Sequence, residues 1–245
     1  MAIRKIFPLF FLLMISLTGC GQKGSFGVTV KPTKYHFVDL EKVVDGISPT
    51  MPNEILKKYI LIKPSEFRKG VSLSWSARII EYDFPFKKER KPLQVELSII
   101  TVASTLKDFE NRIGIQNWGR NLEGYKGGEI IKVSSSRKEV RQIERMVLSG
   151  GNDMTKVEII KYHENRMTVY WRVYWSDNSS TVSDVGRLDV YEVVPGELRI
   201  SFLSAHDVRY HGLFRLPGFL LRWGLENTFL GHLKHYRKIL SRGSK

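Results

Sequence analysis

From Leu93 onward the chain is a succession of strand-like segments separated by tight turns and closed by one long amphipathic segment. Gln94–Ala103 places Val95, Leu97 and Ile99 at every second position, the spacing of a half-buried strand. Six further segments follow, at 129–134, 140–148, 155–163, 167–176, 185–194 and 197–205. Residues 149–153 (Ser-Gly-Gly-Asn-Asp), Glu164-Asn165, Asp177-Asn178-Ser179 and Pro195-Gly196 separate them with turn formers. Connections this short join antiparallel neighbours. From about Leu216 to Leu240 the pattern is helical. Leu221, Leu225, Phe229, Leu233, Tyr236 and Leu240 recur at steps of three and four and form one stripe, widened by Phe219 and Trp223.

Two short helices are expected between the first strand and the rest, at 105–113 and 116–122, with Trp118 in the second. This order, strand, two short helices, six antiparallel strands and a long terminal helix, resembles the helix-grip fold of the START-like superfamily. That superfamily also holds the polyketide cyclase/dehydrase families and the birch-pollen allergen relatives. Asp108-Phe109-Glu110 running to Trp118 sits where those proteins place their two short helices. Gly212-Leu213-Phe214-Arg215-Leu216-Pro217-Gly218-Phe219-Leu220 looks like the segment that opens their final helix. The resemblance covers about Leu93 to Ser241. It implies an α+β fold, a curved antiparallel sheet gripping a long C-terminal helix, with an apolar cavity between the two.

Several residues suit the lining of such a cavity. Val169, Trp171, Val173 and Trp175 share one strand face, with Tyr170, Arg172 and Tyr174 on the other. Leu198, Ile200 and Phe202 form a second apolar row. The candidates for ligand contact are Trp118, Trp171, Trp175, Phe202, Phe219, Trp223, Leu225 and Phe229. Each serves equally well as plain core, and the sequence does not separate a filled interior from a hollow one.

The first twenty residues carry an address. Arg4 and Lys5 form a positive start, Ile6 to Ile15 an apolar run broken only by Pro8, and Leu17-Thr18-Gly19-Cys20 resembles the lipobox of bacterial lipoproteins. The resemblance implies cleavage before Cys20 and acylation of its thiol, with palmitate-class chains that contribute roughly 0.8 kcal/mol per buried CH₂. Gly21 after the cysteine, in place of Asp, points to an outer-membrane protein facing the periplasm. The expected organisation is a leader (1–19), a lipidated tether (20–35), an extension with helices and a strand (36–92) and a START-like domain (93–242). Within the extension, helices are expected at 39–47 and 53–62, the second capped by Asn53, and a strand at 71–84.

Without the leader, the 39 basic residues become 37 against 25 acidic ones, a charge of +12. The only cysteine is consumed by acylation, which excludes thiol nucleophiles, disulfides and cysteine–zinc sites together. Nucleic acid is not an expected partner, because the charge is spread along the chain and matches no nucleic-acid module. Anionic membrane is. Phe84, Phe86, Lys87, Lys88, Arg90 and Lys91 form a proline-bounded loop that reads either as a solvated hairpin tip or as a membrane-touching one. The basic end of the last helix (Lys234, His235, Arg237, Lys238, Arg242 and Lys245) complements the helix dipole or meets lipid phosphates.

No nucleophile elbow, phosphate-binding glycine loop, dinucleotide fingerprint or zinc-protease motif is present, and no cofactor or metal is expected. His232 and His235 lie three apart on the final helix and are expected in solvent. The best acid/base cluster is His206-Asp207 near His211, with Arg172 and Asp184 as further residues. The reading is a membrane-anchored periplasmic lipoprotein that binds, and transfers, a lipid or other hydrophobic ligand. The alternatives are an envelope scaffold with a filled core and a cyclase/dehydrase-like enzyme.

Overall fold

The computed structural model describes residues 40–77, 93–134, 137–144, 152–176, 181–208 and 218–242. The leader, Cys20 and the tether, the Phe84–Lys91 loop, His211 and the segment 212–217 lie outside the described residues, as do the side chains of Trp175, Asp207 and Phe219. Among the described residues, eight strands form one antiparallel sheet: β1 Val71–Ala77, β2 Leu93–Ala103, β3 Tyr125–Ser134, β4 Arg137–Glu144, β5 Asn152–His163, β6 Arg166–Ser176, β7 Thr181–Val194 and β8 Glu197–Val208. Their order is β1-β2-β8-β7-β6-β5-β4-β3. Every strand from β3 to β7 pairs with its successor, and β8 returns to lie beside β2.

Helices cover both faces of this sheet. On one side lies α5, Gly218–Ser241, with α4 (Leu106–Arg112) and a 3-10 turn, Ile115–Asn121. On the other lie α1 (Leu40–Asp45) and α2 (Asn53–Ile60) of the extension, followed by α3 (Pro64–Lys69). Alternation along each strand therefore feeds two cores. Ile100, Val169, Leu188, Ile200 and Phe202 pack with Phe229, Leu233 and Tyr236 of α5. Val95, Val157, Ile159, Val185 and Leu203 pack with Leu40, Val43, Val44 and Ile47. The expected stripe of α5 is the buried one: Leu233 and Tyr236 are fully buried, Leu240 and Phe229 nearly so.

Three local details depart from the sequence reading. Asn53 is the first helical residue of α2 and makes no cap; Pro52, extended at φ −64° and ψ 150°, precedes it as N-cap. The segment 63–70, for which the sequence pattern predicts no element, forms α3, because Pro64 starts the helix and Glu66 accepts the Lys63 N–H at 2.9 Å. The second short helix is a 3-10 turn. It begins at Gly114 with φ 74°, and the Asn121 amide donates to the Ile113 carbonyl, which ties it closed.

Gly186 in the middle of β7 is required by packing. A Cβ there would stand 2.3 Å from the Leu203 carbonyl and 2.6 Å from the Trp171 ring. The Leu203 atom is backbone, so β7 and β8 would have to separate. Gly186→Ala should therefore cost about 2 kcal/mol in a urea melt; an unchanged midpoint would show that the strands part freely at this row.

Candidate functional site

The face of the sheet turned to α5 changes character along its length. Strand pairing aligns Ile160, Val169, Leu188 and Phe202 in one row across β5, β6, β7 and β8, and all four are buried and apolar. One step along, the row reads Lys138, Glu158, Trp171, Gly186, Ser204 and Glu96. The next row holds Lys156, Val173, Asp184 and His206. Adjacent rows on one face are two residues apart on each strand. In β5, β7 and β8, alternate positions thus run from apolar in the first row to polar or charged by the third, and in β2 Ser98, opposite Phe202, is already polar. The face under α5 is apolar at one end and charged at the other.

At the apolar end the rings touch. Trp118 lies 5.1 Å from Trp171 and 5.9 Å from Phe202, centroid to centroid, and Phe202 lies 5.8 Å from both Trp171 and Phe229. Tyr236 fixes Trp118 by donating to its carbonyl at 2.7 Å. Four of the residues expected to line a cavity, Trp118, Trp171, Phe202 and Phe229, therefore form one aromatic cluster. Leu225 packs at its margin, and Trp223 is 46% exposed.

The charged end is buried as deeply. The Glu158 carboxylate lies 3.1 Å from Lys138 Nζ and 3.2 Å from Lys156 Nζ, all three side chains at most 7% exposed. Lys138 also donates to the Gln116 carbonyl, and Lys156 sits 4.0 Å above the Trp118 ring. Gln142 donates to Glu144, whose carboxyl burial pushes up to about 7, against the pull of Lys156. Asp184 accepts from Ser204 Oγ at 2.5 Å and from Trp171 Nε1 at 3.3 Å, and its Oδ1 lies 3.4 Å from His206 Nδ1.

The sequence offers His206-Asp207 as a cluster, with Asp184 as a further residue; the structure places His206 against Asp184, across the β7–β8 pair. The expectation that His232 lies in solvent is also corrected. His232 is buried, because it follows Phe229 by three and precedes Tyr236 by four on the apolar stripe. Burial pushes its imidazole down to about 3, and His206 is lowered by the same cause. Both rings are thus neutral at pH 7. Among the described residues, three buried ring nitrogens make no hydrogen bond: Trp118 Nε1, His206 Nε2 and His232 Nδ1. The rings that carry them are packed against Phe202 and Phe229. With His206 Nδ1 turned to Asp184, its Nε2 is an acceptor, whereas Trp118 Nε1 is a donor. A hydroxyl could serve either atom, whereas a carbonyl could serve only the Trp118 donor. No group of three or more His, Cys, Asp or Glu side chains is arranged to hold a metal among the described residues.

Lys138, Gln142, Glu144, Lys156, Glu158 and His232 are not among the sequence-derived site residues. The available signal is the repeated switch from charged to apolar at alternate positions, visible in Lys156-x-Glu158-x-Ile160 and in Asp184-x-Gly186-x-Leu188.

No family model matches the chain, and no curated protein matches it in sequence. Solved structures do match in shape. Human StAR-related lipid transfer protein 5 superposes with a TM-score of 0.54 at 10% identity, covering 84% of this chain and 98% of that one. A protein of Thermus thermophilus superposes at 0.51 with 9% identity, over 61% and 98%. At these identities the likeness is one of architecture: an eight-stranded curved antiparallel sheet holding a C-terminal helix, the START-like helix-grip fold.

Proposed function

We propose that this protein binds and transfers a lipid or other hydrophobic molecule between α5 and the sheet, anchored to the outer membrane by an acylated Cys20 and facing the periplasm. The observation that carries the binding reading is the graded face under α5. Its aromatic end suits a chain or ring system, and the unpartnered nitrogens of Trp118, His206 and His232 are places where a polar group of such a molecule would find a partner. Native mass spectrometry of protein purified from membranes tests it. The expected result is a bound small molecule that is released on unfolding. Protein that always comes up empty and refuses fluorescent lipids overturns the reading.

The lipobox resemblance supports the anchor, and α2 supports membrane contact. Ile60 and Leu61 stand 69% and 76% exposed and Leu56 42%, interleaved with Lys57, Lys58 and Lys63. Exposed large apolar residues among cations fit an anionic bilayer surface. Binding of an unacylated Cys20→Ser variant to phosphatidylglycerol vesicles should fall steeply as salt rises. Ile60→Asp with Leu61→Asp should weaken it tenfold or more, since each large apolar side chain is worth about 1.5–3 kcal/mol on burial. Unchanged binding would place the contact elsewhere, the Phe84–Lys91 loop being the next site to vary.

A second reading, a cyclase-like enzyme, is favoured by one feature: the His206–Asp184 pair, with Nε2 buried and without a hydrogen bond. It requires that His206→Gln abolish a turnover while the bound molecule is retained. Loss of binding together with turnover would return the residue to ligand contact.

A further inference from the structure

The opposite face of the sheet carries a pocket of its own, about 650 Å³ in volume, between α2 with the Ser48–Thr50 turn and strands β2, β7 and β8. That volume falls in the ~300–1,000 Å³ range of small-molecule sites. Its walls are Met51, Leu56, Leu97, Ile99 and Leu203, and it is ringed by Arg166, Arg187 and Arg199. Two of these arginines are neutralised within the protein. Asp189 takes Arg166 and also the Arg187 Nε at 2.9 Å, while Arg187 reaches Asp45 at 2.5 Å.

Arg199 is different. Its guanidinium lies over the Phe67 ring at 4.7 Å and beside that of Tyr191 at 5.9 Å, and it donates to the Tyr191 hydroxyl at 3.5 Å. No carboxylate of the described residues is within ion-pair distance of it, and its Nε is buried without a hydrogen bond. This partly buried cation, held against rings, thus has no anion of its own within the described residues, unlike Arg166 and Arg187. The guanidinium fork matches a carboxylate or phosphate.

We infer that this outer pocket is a second binding site, for a single-chain anionic amphiphile whose head group sits on Arg199 and whose chain lies along Leu56, Leu97 and Ile99. It is separated from the face under α5 by the thickness of the sheet. Its outer wall is the same helix that exposes Ile60 and Leu61, so an amphiphile leaving a bilayer at α2 would enter here.

Photolabelling of the delipidated full chain with dodecanoate carrying a diazirine on its chain, read by peptide mass spectrometry, tests this. Labels are expected on residues 48–59, 97–99 or 201–203. They should fall at least tenfold in Arg199→Gln and in Leu56→Asp, the latter at an exposed wall position that spares folding, while any labelling of α5 stays as it was. Dodecyl phosphate should compete as dodecanoate does, and dodecanol and inorganic phosphate should not. Absent outer-face labels, labels indifferent to both substitutions, or equal competition by dodecanol would overturn the site. Competition by inorganic phosphate as strong as by dodecyl phosphate would reduce it to a site for a free anion, and overturn the amphiphile.

Discussion

Glu158→Gln should destabilise the protein by about 3–5 kcal/mol, the cost of removing one partner from a buried ion pair. Here one carboxylate serves two lysines. Glu158 lies within 3.2 Å of both Lys138 and Lys156, and no other described residue forms an ion pair with either. An amide at that position keeps the shape and one acceptor but leaves two buried cations to repel each other. The readout is the urea midpoint at pH 7. Glu158→Gln with Lys156→Met should recover a large part of the loss, because it removes one of the stranded charges while Met keeps most of the lysine's apolar stem over Trp118. A single variant as stable as the parent would show that water reaches this end of the face under α5 and solvates the lysines. The same experiment reads on function, because a ligand that contacts this end should narrow the gap between parent and variant.

The elements are legible in the chain because alternation and the α5 stripe are strong, local signals. All seven strands expected after residue 93 and the terminal helix lie within a few residues of their expected bounds, and Trp171 and Tyr170 face opposite sides as parity requires. The polar half of the face under α5 is not legible. In β5 the odd positions Val157 and Ile159 are apolar and the even positions Lys156 and Glu158 charged, which reads as core on one side and solvent on the other. That inference needs one face of the sheet to be wet. The extension removes the condition: α1 covers Val157 and Ile159, α5 and the 3-10 turn cover Lys156 and Glu158, and both sets are buried. Which charged positions end up inside is decided by two helices distant in sequence, and alternation carries no information on that. His232 shows the same limit in a helix, where its polar type suggests solvent and its place on the stripe decides burial.

Stability should fall as pH rises above about 6.5 and as it drops below about 4.5, because buried carboxyls and buried histidines respond to pH in opposite directions. Burial, followed by the charge of Glu226, holds the Glu96 carboxyl at about 8, and burial holds that of Glu144 at about 7, against an ordinary value of 4.5. Between the ordinary and the raised value the folded chain carries more protons than the unfolded one, so each carboxyl lowers stability as pH rises. For His206 and His232, lowered from 6.5 by burial, the unfolded chain carries the extra protons, so stability falls as pH drops below 6.5. Each group contributes about 1.4 kcal/mol per pH unit within its window. Where the windows overlap the two kinds of group oppose each other. Above pH 6.5 only the carboxyls remain, and the loss should reach about 3 kcal/mol by pH 8, most of it from Glu96. Glu96→Gln should remove about 2 kcal/mol of that loss while its acid limb matches the parent. His232→Phe should do the reverse, holding stability below pH 4.5 and leaving the alkaline limb in place. Urea midpoints from pH 4 to 9 for the three proteins decide it. A parent curve that is flat from pH 6.5 to 9 would mean that Glu96 is already ionised at pH 6.5, paired with Arg222 and hydrated, and that this end of the face under α5 is open to water.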